Sequence, residues 1–371
     1  MMKTSTKLLL LVCATLLLSC EDDYHCGLTT TVHQDGSFTR EYALRLDSAQ
    51  LISGRVDNSK NMVQLSGPWK LTWTVKGDST RHPLPMDKDT YQRLAELCRQ
   101  THTKVEDTVV VYAMRHFASA HDMAKATRLK VGTLTLTPNI SFKKSYRFFC
   151  TTYQYKETYP GLSHRFAVPL SQYFTKDEMG YWFSGHPDLT SALSGMEADD
   201  VIQRLKAQYS KWIAANDFEI TYQALLAAYS QAGPGALPKR QFKGLHDKLM
   251  ASYIEECGEE AQMMNKAEWL RKQLHTDAYT RILNDDTLMS KVTEQESDFM
   301  ALSMLKVDYQ LFMPSSASQL ALSTRLLGSR LFAGSATLSS SATVSHTWTY
   351  VFIILVLLAA LIGLIIVRHQ R

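Results

Sequence analysis

The sequence lacks the local motifs of several common enzyme classes. It contains no Gly-x-Ser-x-Gly, no Walker loop and no His-Glu-x-x-His. Those patterns position a serine nucleophile, a phosphate group or a zinc ion, so their absence removes the most direct sequence argument for each chemistry. The six cysteines include no Cys-x-x-Cys unit, which argues against a redox motif and a zinc knuckle. No catalytic residue, metal ligand or cofactor is assigned from the sequence.

The chain also lacks a charge of one sign over most of its length. The formal net charge is +4, from 40 basic and 36 acidic residues. Four basic residues lie in the terminal segments, namely Lys3, Lys7, Arg368 and Arg371. Removing these four leaves 36 basic against 36 acidic residues, a net charge of zero. A nucleic-acid-binding protein carries a basic surface, so the composition argues against that class of partner.

The longest hydrophobic run, Val351 to Val367, predicts a transmembrane helix over 347–367. Its 17 residues contain no charged side chain. They extend about 25 Å as a helix, and three preceding residues bring the length to roughly 30 Å. Trp348 and Tyr350 are typical membrane-interface residues, while Arg368 and Arg371 predict a cytoplasmic tail over 368–371. The alternative is a buried core helix.

The N-terminus predicts a secretory signal peptide over 1–19. Lys3 and Lys7 precede the apolar run from Leu8 to Leu18. The next residues, Leu17-Leu18-Ser19-Cys20, resemble the lipobox of bacterial lipoproteins. This resemblance implies that Cys20 is lipidated and becomes the mature N-terminus. Alternatively, cleavage occurs elsewhere and Cys20 is an ordinary thiol. If both tethers occupy one membrane, both ends of the body are expected near it.

Four further cysteines lie in the exported body: Cys26, Cys98, Cys150 and Cys257. An oxidising compartment permits two disulfides among them, with three pairings, and buried free thiols are an equal alternative.

The first part of the body, 20–170, is predicted to be rich in strands. Asp35-Gly36 favours a hairpin turn, and after it Phe38, Arg40, Tyr42, Leu44 and Leu46 share one face. Residues 142–159 carry seven aromatic side chains and predict one long core strand, or two with a bend. The alternative is a stacking platform for sugars or bases.

Residues 171–298 instead show helical periodicity. Predicted helices cover 201–215, 217–231, 242–256, 259–275 and 278–283, with Asp217 as a cap of the second. Strand character returns over 299–346, where Ser339, Ser340 and Ser341 suggest a stalk. The fold class is therefore α+β: a β-rich antiparallel domain with an inserted helical subdomain and one C-terminal transmembrane helix.

In outline, the chain resembles a group of bacterial envelope lipoproteins. The shared features are the lipobox, an Asp-Gly hairpin, an aromatic-rich strand, a late strand with proline at Phe312-Met313-Pro314, and a C-terminal membrane helix. The resemblance implies no activity.

Two residue groups have some features of a catalytic or metal site. Ser141 and Lys144 have the Ser-x-x-Lys spacing of penicillin-interacting enzymes, but a strand places the two side chains on opposite faces. His116, His121 and Asp122 are candidate metal ligands without helical i, i+4 spacing, which favours ordinary surface residues.

Two hypotheses about function follow. The first is a membrane-anchored envelope lipoprotein with an extracytoplasmic body that binds another envelope protein without catalysis. The second is a periplasmic or surface hydrolase acting on peptidoglycan or glycan. A deep pocket with converging titratable groups would favour the second hypothesis.

Overall fold

The computed structural model describes residues 24–59, 61–257, 265–315 and 319–369. The predicted signal peptide, Cys20 and Arg371 lie outside these residues. The described chain is a mixed α+β protein with a large sheet and a long apolar C-terminal helix. The α+β class predicted from the sequence is therefore confirmed.

Twelve strands form three sheets within the described residues. In chain order they are β1 His25–Val32, β2 Phe38–Leu44, β3 Lys70–Val75, β4 His82–Pro83, β5 Val109–Phe117, β6 Leu129–Val131, β7 Leu134–Leu136, β8 Asn139–Tyr146, β9 Cys150–Tyr159, β10 Lys306–Met313, β11 Gln319–Leu327 and β12 Ala336–Ser345.

The α-helices fall mostly between β9 and β10 and at the C-terminus. In chain order they are α1 Ser48–Ser53, α2 Lys88–Gln100, α3 Val105–Thr108, α4 Ala120–Ala126, α5 Lys176–Ser184, α6 Gly195–Ala227, α7 Lys239–Gly244, α8 His246–Cys257, α9 Lys266–Leu274, α10 Thr280–Leu283, α11 Asp286–Met304, α12 Arg330–Ala333 and α13 Thr347–His369.

The large sheet has seven strands in the order β11, β10, β1, β2, β5, β3, β4. The chain leaves the sheets after β9, passes through helices α5 to α11 and returns at β10. Strand β10 then lies parallel to β1, with His25 opposite Lys306. The prediction of a purely antiparallel domain is therefore wrong at this pair, because a long crossover allows parallel pairing where a hairpin cannot.

A three-stranded sheet, β12-β9-β8, packs on the buried face of the large sheet. The ring of Phe38 on β2 lies 6.2 Å from that of Tyr155 on β9. The hydroxyl of Tyr153 donates to the backbone carbonyl of Gln34 at 2.9 Å. The main core therefore lies between the two sheets, where alternate residues of β1, β2, β9 and β10 are buried.

The hairpin of β1 and β2 is confirmed. Ser37 donates its backbone N–H to the Asp35 side chain, and Gly36 has φ of 98°, which suits glycine. Along β2, alternate residues from Phe38 to Leu44 are buried. The prediction therefore places Arg40 correctly on the buried face.

The aromatic segment over 142–159 is not one long strand but two, and a hairpin turn replaces the expected bend. It forms a hairpin, in which β8 ends at Tyr146 and β9 begins at Cys150. Tyr153, Tyr155 and Tyr159 are buried. The core prediction fails at the turn, where three aromatic residues are exposed: Tyr146, Phe148 and Phe149. Periodicity identifies the buried strand face but does not show where the chain reverses.

Helix α6 joins two predicted helices into one of 33 residues. It begins at a capping box, in which Ser194 and Glu197 exchange hydrogen bonds with each other's backbone. Asp217 is therefore not an N-cap. It lies in the middle of α6 with 4% exposure, because Lys266 neutralises its charge.

The return to strands begins later than predicted. Helix α11 continues through residues 299–304, so the boundary at 299 lies within a helix. Ser339, Ser340 and Ser341 pair with Lys156, Tyr155 and Gln154 of β9. The predicted stalk is therefore wrong, because backbone pairing with β9 fixes these serines in β12.

Candidate functional site

Helix α13 is the one helix in the described residues that is long and apolar enough to cross a membrane by length and composition. Its window Thr347–Ile366 has a mean hydropathy of 3.0, and 6% of it is buried. A core helix would be mostly buried against the rest of the chain. The alternative of a buried core helix is therefore wrong.

The predicted membrane-interface residues lie at the two ends of α13. Trp348 and Tyr350 are in its first turn and are 59% and 47% exposed. Arg368 lies in its last turn, while Arg371 is outside the described residues. Trp348 and Arg368 thus lie at opposite ends of the apolar segment, and their role at a membrane interface stays a prediction.

The start of α13 is fastened to the turn between β8 and β9. The backbone N–H of His346 donates to the carbonyl of Phe149 at 2.8 Å. The hydroxyl of Thr349 donates to the carbonyl of Phe148 at 3.1 Å. The His346 ring also lies within hydrogen-bond distance of Thr151 Oγ1, at 2.8 Å. These contacts tie the first helical turn to the folded body.

The strands place the N-terminal end of the body away from this helix start. Tyr153, Tyr155 and Glu157 on β9 face successive positions of the first hairpin: the carbonyl of Gln34, the ring of Phe38 and the Arg40 side chain. Strand β9 thus runs in the direction of β2 and opposite to β1. Since β9 begins beside α13, the start of β1 lies at the far end of the sheets.

A fully buried ion pair joins the two sheets. Arg40 Nη1 and Nη2 donate to the Glu157 carboxylate at 3.0 and 2.7 Å, and both side chains have 0% exposure. Tyr155, Tyr159 and Tyr309 donate their hydroxyls to the same carboxylate at 2.8, 2.9 and 3.0 Å. Glu157 therefore receives five hydrogen bonds from groups on three strands, β2, β9 and β10.

The electrostatics of this cluster suit a structural role. Burial alone would raise the pKa of the Glu157 carboxyl, but the Arg40 charge and the hydrogen bonds outweigh burial and lower that pKa. Burial and the nearby Glu157 charge raise the pKa of Tyr155 and Tyr159 well above the usual range. The carboxylate stays ionised and enclosed, so it cannot meet a substrate.

A second buried charge cluster lies among the helices. Lys266 on α9 pairs with Asp217 at 2.9 Å and with Glu296 on α11. The Tyr253 hydroxyl donates to the other oxygen of Asp217. The adjoining cavity lined by Phe218, Trp269 and their neighbours measures about 10 Å³. That volume fits about one water molecule, so the cluster ties helices together rather than receiving a substrate.

A larger cleft opens at the far end of the sheets, with a cavity volume of about 190 Å³. Its charged lining includes His25, Arg45, Glu106 and Asp107. Arg45 pairs with Asp107, and His25 pairs with Asp308 outside the lining at 2.7 Å. Burial raises the pKa of the Cys26 thiol in this lining to about 12, which makes it a poor nucleophile.

The candidate disulfide cysteines are separate free thiols. Cys26, Cys98 and Cys257 are buried and Cys150 is partly buried. The alternative of two disulfides is therefore not realised in the structure. The alternative of buried free thiols describes Cys26, Cys98 and Cys257, whereas Cys150 is only partly buried.

The other residues singled out from the sequence do not form a reactive site. Lys144 donates to the carbonyl of Gln34 at 2.7 Å, away from Ser141, as expected for neighbours on a strand. The ring of His116 lies 5.5 Å from that of His33, whereas His121 and Asp122 belong to helix α4. Among the described residues, no group of three or more His, Cys, Asp and Glu side chains is arranged to hold a metal ion.

Sequence reasoning missed the partners of the buried charges. Arg40 and Glu157 are 117 positions apart, and Asp217 and Lys266 are 49 apart. One signal was present: the alternation along β2 places Arg40 on an apolar face, where a charged group needs a buried partner. The residues near Arg40 in the sequence do not identify that partner.

Comparisons with models of protein families, with curated proteins and with solved structures gave no match.

Proposed function

We propose that this protein is a membrane-anchored envelope lipoprotein that binds or assembles with another envelope protein without catalysis. The observation that carries the proposal is helix α13, whose apolar side chains are exposed while its first turn is fastened to a folded body. In this proposal the helix spans a membrane over 347–367, the body is extracytoplasmic and residues 368–371 are cytoplasmic.

The exposed apolar surface of α13 supports the membrane assignment energetically. Most large side chains from Val351 to Ile366 are about half exposed. Covering a half-exposed aliphatic side chain contributes about 1 kcal/mol, so moving the whole helix into lipid gains on the order of 10 kcal/mol. A helix also satisfies its own backbone hydrogen bonds within lipid.

The topology has a direct test by proteolysis. In spheroplasts, an added protease should digest the body and leave a small membrane-protected fragment containing α13. Inside-out vesicles should protect the body instead, because residues 368–371 and not the body face the added protease. Digestion of the body only in inside-out vesicles would contradict the proposed orientation.

Lipidation at Cys20 is tested separately. The lipobox Leu17-Leu18-Ser19-Cys20 supports it. Metabolic labelling with an alkyne fatty acid should label the intact protein and should fail with Cys20→Ser. Equal labelling of the two proteins would contradict lipidation at this residue.

We infer that the helices between β9 and β10 form the inserted helical subdomain. Helices α6 to α10 contribute to a second buried cluster, which includes Phe218, Tyr222, Phe242 and Trp269. This cluster accompanies a chain segment that both leaves and returns to the β-rich part. These features support a compact insertion with its own core.

The helical subdomain is also the proposed partner-binding part. At the start of α6, Leu193, Met196 and Ile202 are 38%, 79% and 39% exposed. Exposed large apolar side chains that lie close together along the chain support an interaction surface in this part of the protein. An envelope protein with a complementary apolar surface is the partner this region would accept.

In vivo photocrosslinking tests this assignment. A photoreactive residue at Met196 should capture a specific envelope protein in cells expressing the full chain. The matched control is Leu97 on α2, which is 58% exposed and lies outside the helical insertion. Failure to capture a protein from Met196, or the same captured proteins from Leu97, would contradict partner binding by this surface.

The alternative function is hydrolysis of peptidoglycan or glycan. The far-end cleft supports it, because Glu106 and Asp107 contribute neighbouring carboxylates to a cavity of about 190 Å³. Asp107 is already paired with Arg45, which is why this function ranks second. Release of sugar fragments by the purified full chain, lost in Glu106→Gln, would favour hydrolysis.

A further inference from the structure

The turn between β8 and β9 carries an unusual pair of residues for a hairpin. Arg147 and Cys150 exchange backbone hydrogen bonds at 2.8 and 3.3 Å, which leaves Phe148 and Phe149 at the two central positions. Those positions in short hairpins usually hold glycine, asparagine or aspartate. Both phenylalanines are exposed, by 54% and 44%. Turn formation itself therefore does not account for their identity.

The hairpin turn extends beside the first turn of α13. Thr349, in the helix, donates to the carbonyl of Phe148 at 3.1 Å. The rings of Phe149 and Tyr350 are 5.5 Å apart, and those of Phe148 and Phe149 are 5.1 Å apart. The two phenylalanines consequently lie at the level of the helical turn that carries Trp348 and Tyr350.

A second set of ring contacts continues this surface around the helix start. Tyr146 stacks on His346 with ring centroids 4.6 Å apart, and His346 lies 6.2 Å from Trp348. Tyr146 is 67% exposed. We call the five exposed rings the aromatic collar: Tyr146, Phe148, Phe149, Trp348 and Tyr350.

We propose that the hairpin turn inserts Phe148 and Phe149 into the interface of the same membrane that holds α13. This inference rests on the proposed membrane-spanning role of that helix. Aromatic rings concentrate at the boundary between headgroups and hydrocarbon, and the collar supplies them from both the helix and the body. Exposed Arg147 at the turn carries a positive charge suited to lipid phosphates.

Lipid is a better occupant of this surface than a protein partner because the surface is continuous with the helix. A partner protein would have to displace lipid from the ring of Tyr350, which Phe149 already contacts. The hydrogen bonds from the His346 backbone N–H and the Thr349 hydroxyl also fix the turn relative to the helix. The body therefore meets the membrane through two connected elements, which limits its rocking about the helix start.

The test measures the depth of single labelled positions in lipid. The full chain carrying Cys150→Ser is reconstituted into phosphatidylcholine and phosphatidylglycerol vesicles, and an environment-sensitive fluorophore is attached to Phe148→Cys. Trp348→Cys is the helix reference and Leu97→Cys, on an exposed position of α2, is the aqueous control. Protein without an added cysteine gives the labelling baseline. Spin-labelled lipids then quench fluorophores located in the bilayer.

The proposal expects quenching at position 148 to be similar to that at 348 and several-fold stronger than at 97. Strong quenching at position 348, together with quenching at position 148 as weak as at position 97, would overturn the insertion of the hairpin. It would leave the proposed membrane helix intact. Such a result would indicate a protein partner for the two phenylalanines. Weak quenching at all three positions would overturn the proposed membrane helix and the hairpin insertion together.

Discussion

Replacing Glu157 with glutamine should destabilise the folded body by about 3–5 kcal/mol. This is the range for removing one partner of a buried ion pair, because the other charge is left in a medium of low polarity. The pair has 0% exposure on both sides, so water cannot replace the lost carboxylate.

The hydrogen bonds around Glu157 support the same magnitude. All the groups that face its carboxylate are donors: the Arg40 guanidinium and the hydroxyls of Tyr155, Tyr159 and Tyr309. Glutamine keeps one acceptor oxygen but turns its own N–H groups toward other donors. Leaving one buried donor unsatisfied costs about 1–3 kcal/mol, in addition to the loss of the charge.

The assay is urea unfolding of the full chain in detergent micelles, followed by circular dichroism. The matched control is Glu96→Gln, which removes the exposed pair between Glu96 and Arg99. An exposed pair contributes at most about 1 kcal/mol. Equal, small shifts in the two variants would refute the reasoning, because they would show that Glu157 is solvated like a surface carboxylate.

The pH dependence provides a second check on Glu157. Its folded-state pKa is lowered by Arg40 and by hydrogen bonds that outweigh burial. The resulting stability is present above the ordinary glutamate pKa of about 4.3 and is lost as pH falls toward the lowered folded value. Glu157→Gln should abolish this part of acid destabilisation. The double variant Arg40→Met, Glu157→Gln should recover part of the stability lost in Glu157→Gln, because no charge is then left unpaired and glutamine keeps an acceptor oxygen for the tyrosine hydroxyls.

Three further predictions concern the helices and their junctions. Burial lowers the pKa of His246, but two neighbouring carboxylates outweigh burial and raise it. The resulting stability is present below about pH 6.5 and is lost as pH rises, so His246→Gln should remove it. Unfolding midpoints from pH 5 to 9 measure this difference. Gly328→Ala should lower the free energy of unfolding by about 1–3 kcal/mol, because the added Cβ would lie 2.1 Å from the carbonyl oxygen of Leu302. The control Gly244→Ala meets no atom within 4 Å and should be neutral or stabilising in the same urea assay. Trp212→Ala should lower the free energy of unfolding by about 3–5 kcal/mol, since this side chain is fully buried; a change below about 1 kcal/mol would contradict its place in the core.

The features predicted well from the sequence depend on local patterns. The Asp35-Gly36 turn needs only the φ preference of glycine and the side-chain acceptor of aspartate. The buried face shared by Phe38, Arg40, Tyr42 and Leu44 needs only the two-residue alternation of a strand. Each of these patterns depends on residues close together in the chain, so the sequence alone specifies it.

The features that were missed depend on distant parts of the chain. Asp217 has the residue type of a cap, but Lys266 and Tyr253 stabilise it within a continuous helix. The serines of β12 have the composition of a stalk, but β9 supplies their backbone partners. Composition and periodicity contain no information about either contact, because tertiary neighbours override weak local preferences.

Of the aromatic collar, the sequence predicts only the part that lies on helix α13. The apolar run identified α13 and the interface rings Trp348 and Tyr350. The hairpin half was assigned to the core, because Phe148 and Phe149 continue an aromatic strand in the sequence. The chain reverses between Tyr146 and Cys150, which exposes both phenylalanines. No glycine or proline in the sequence marks this turn.

The arrangement of the strands constrains how the two proposed tethers share one membrane. Seven residues of β9 separate Cys150 from Glu157, and five residues of β1 separate His25 from the position paired with Arg40. At about 3.3 Å per residue, the start of β1 lies roughly 40 Å from the start of α13 along the strands.

Five residues, the separation of Cys20 and His25, reach at most about 18 Å even in a fully extended chain. A lipid on Cys20 cannot therefore reach the surface where α13 enters if the strands stand upright on it. An upright body would not meet the expectation that both ends of the body lie near one membrane, and that expectation stays a prediction. It holds only if the strands lie along the membrane, with the cleft near His25 brought toward the lipid and the aromatic collar at the opposite end. Two proposed tethers in one membrane thus fix the tilt of the body, which neither tether fixes by itself.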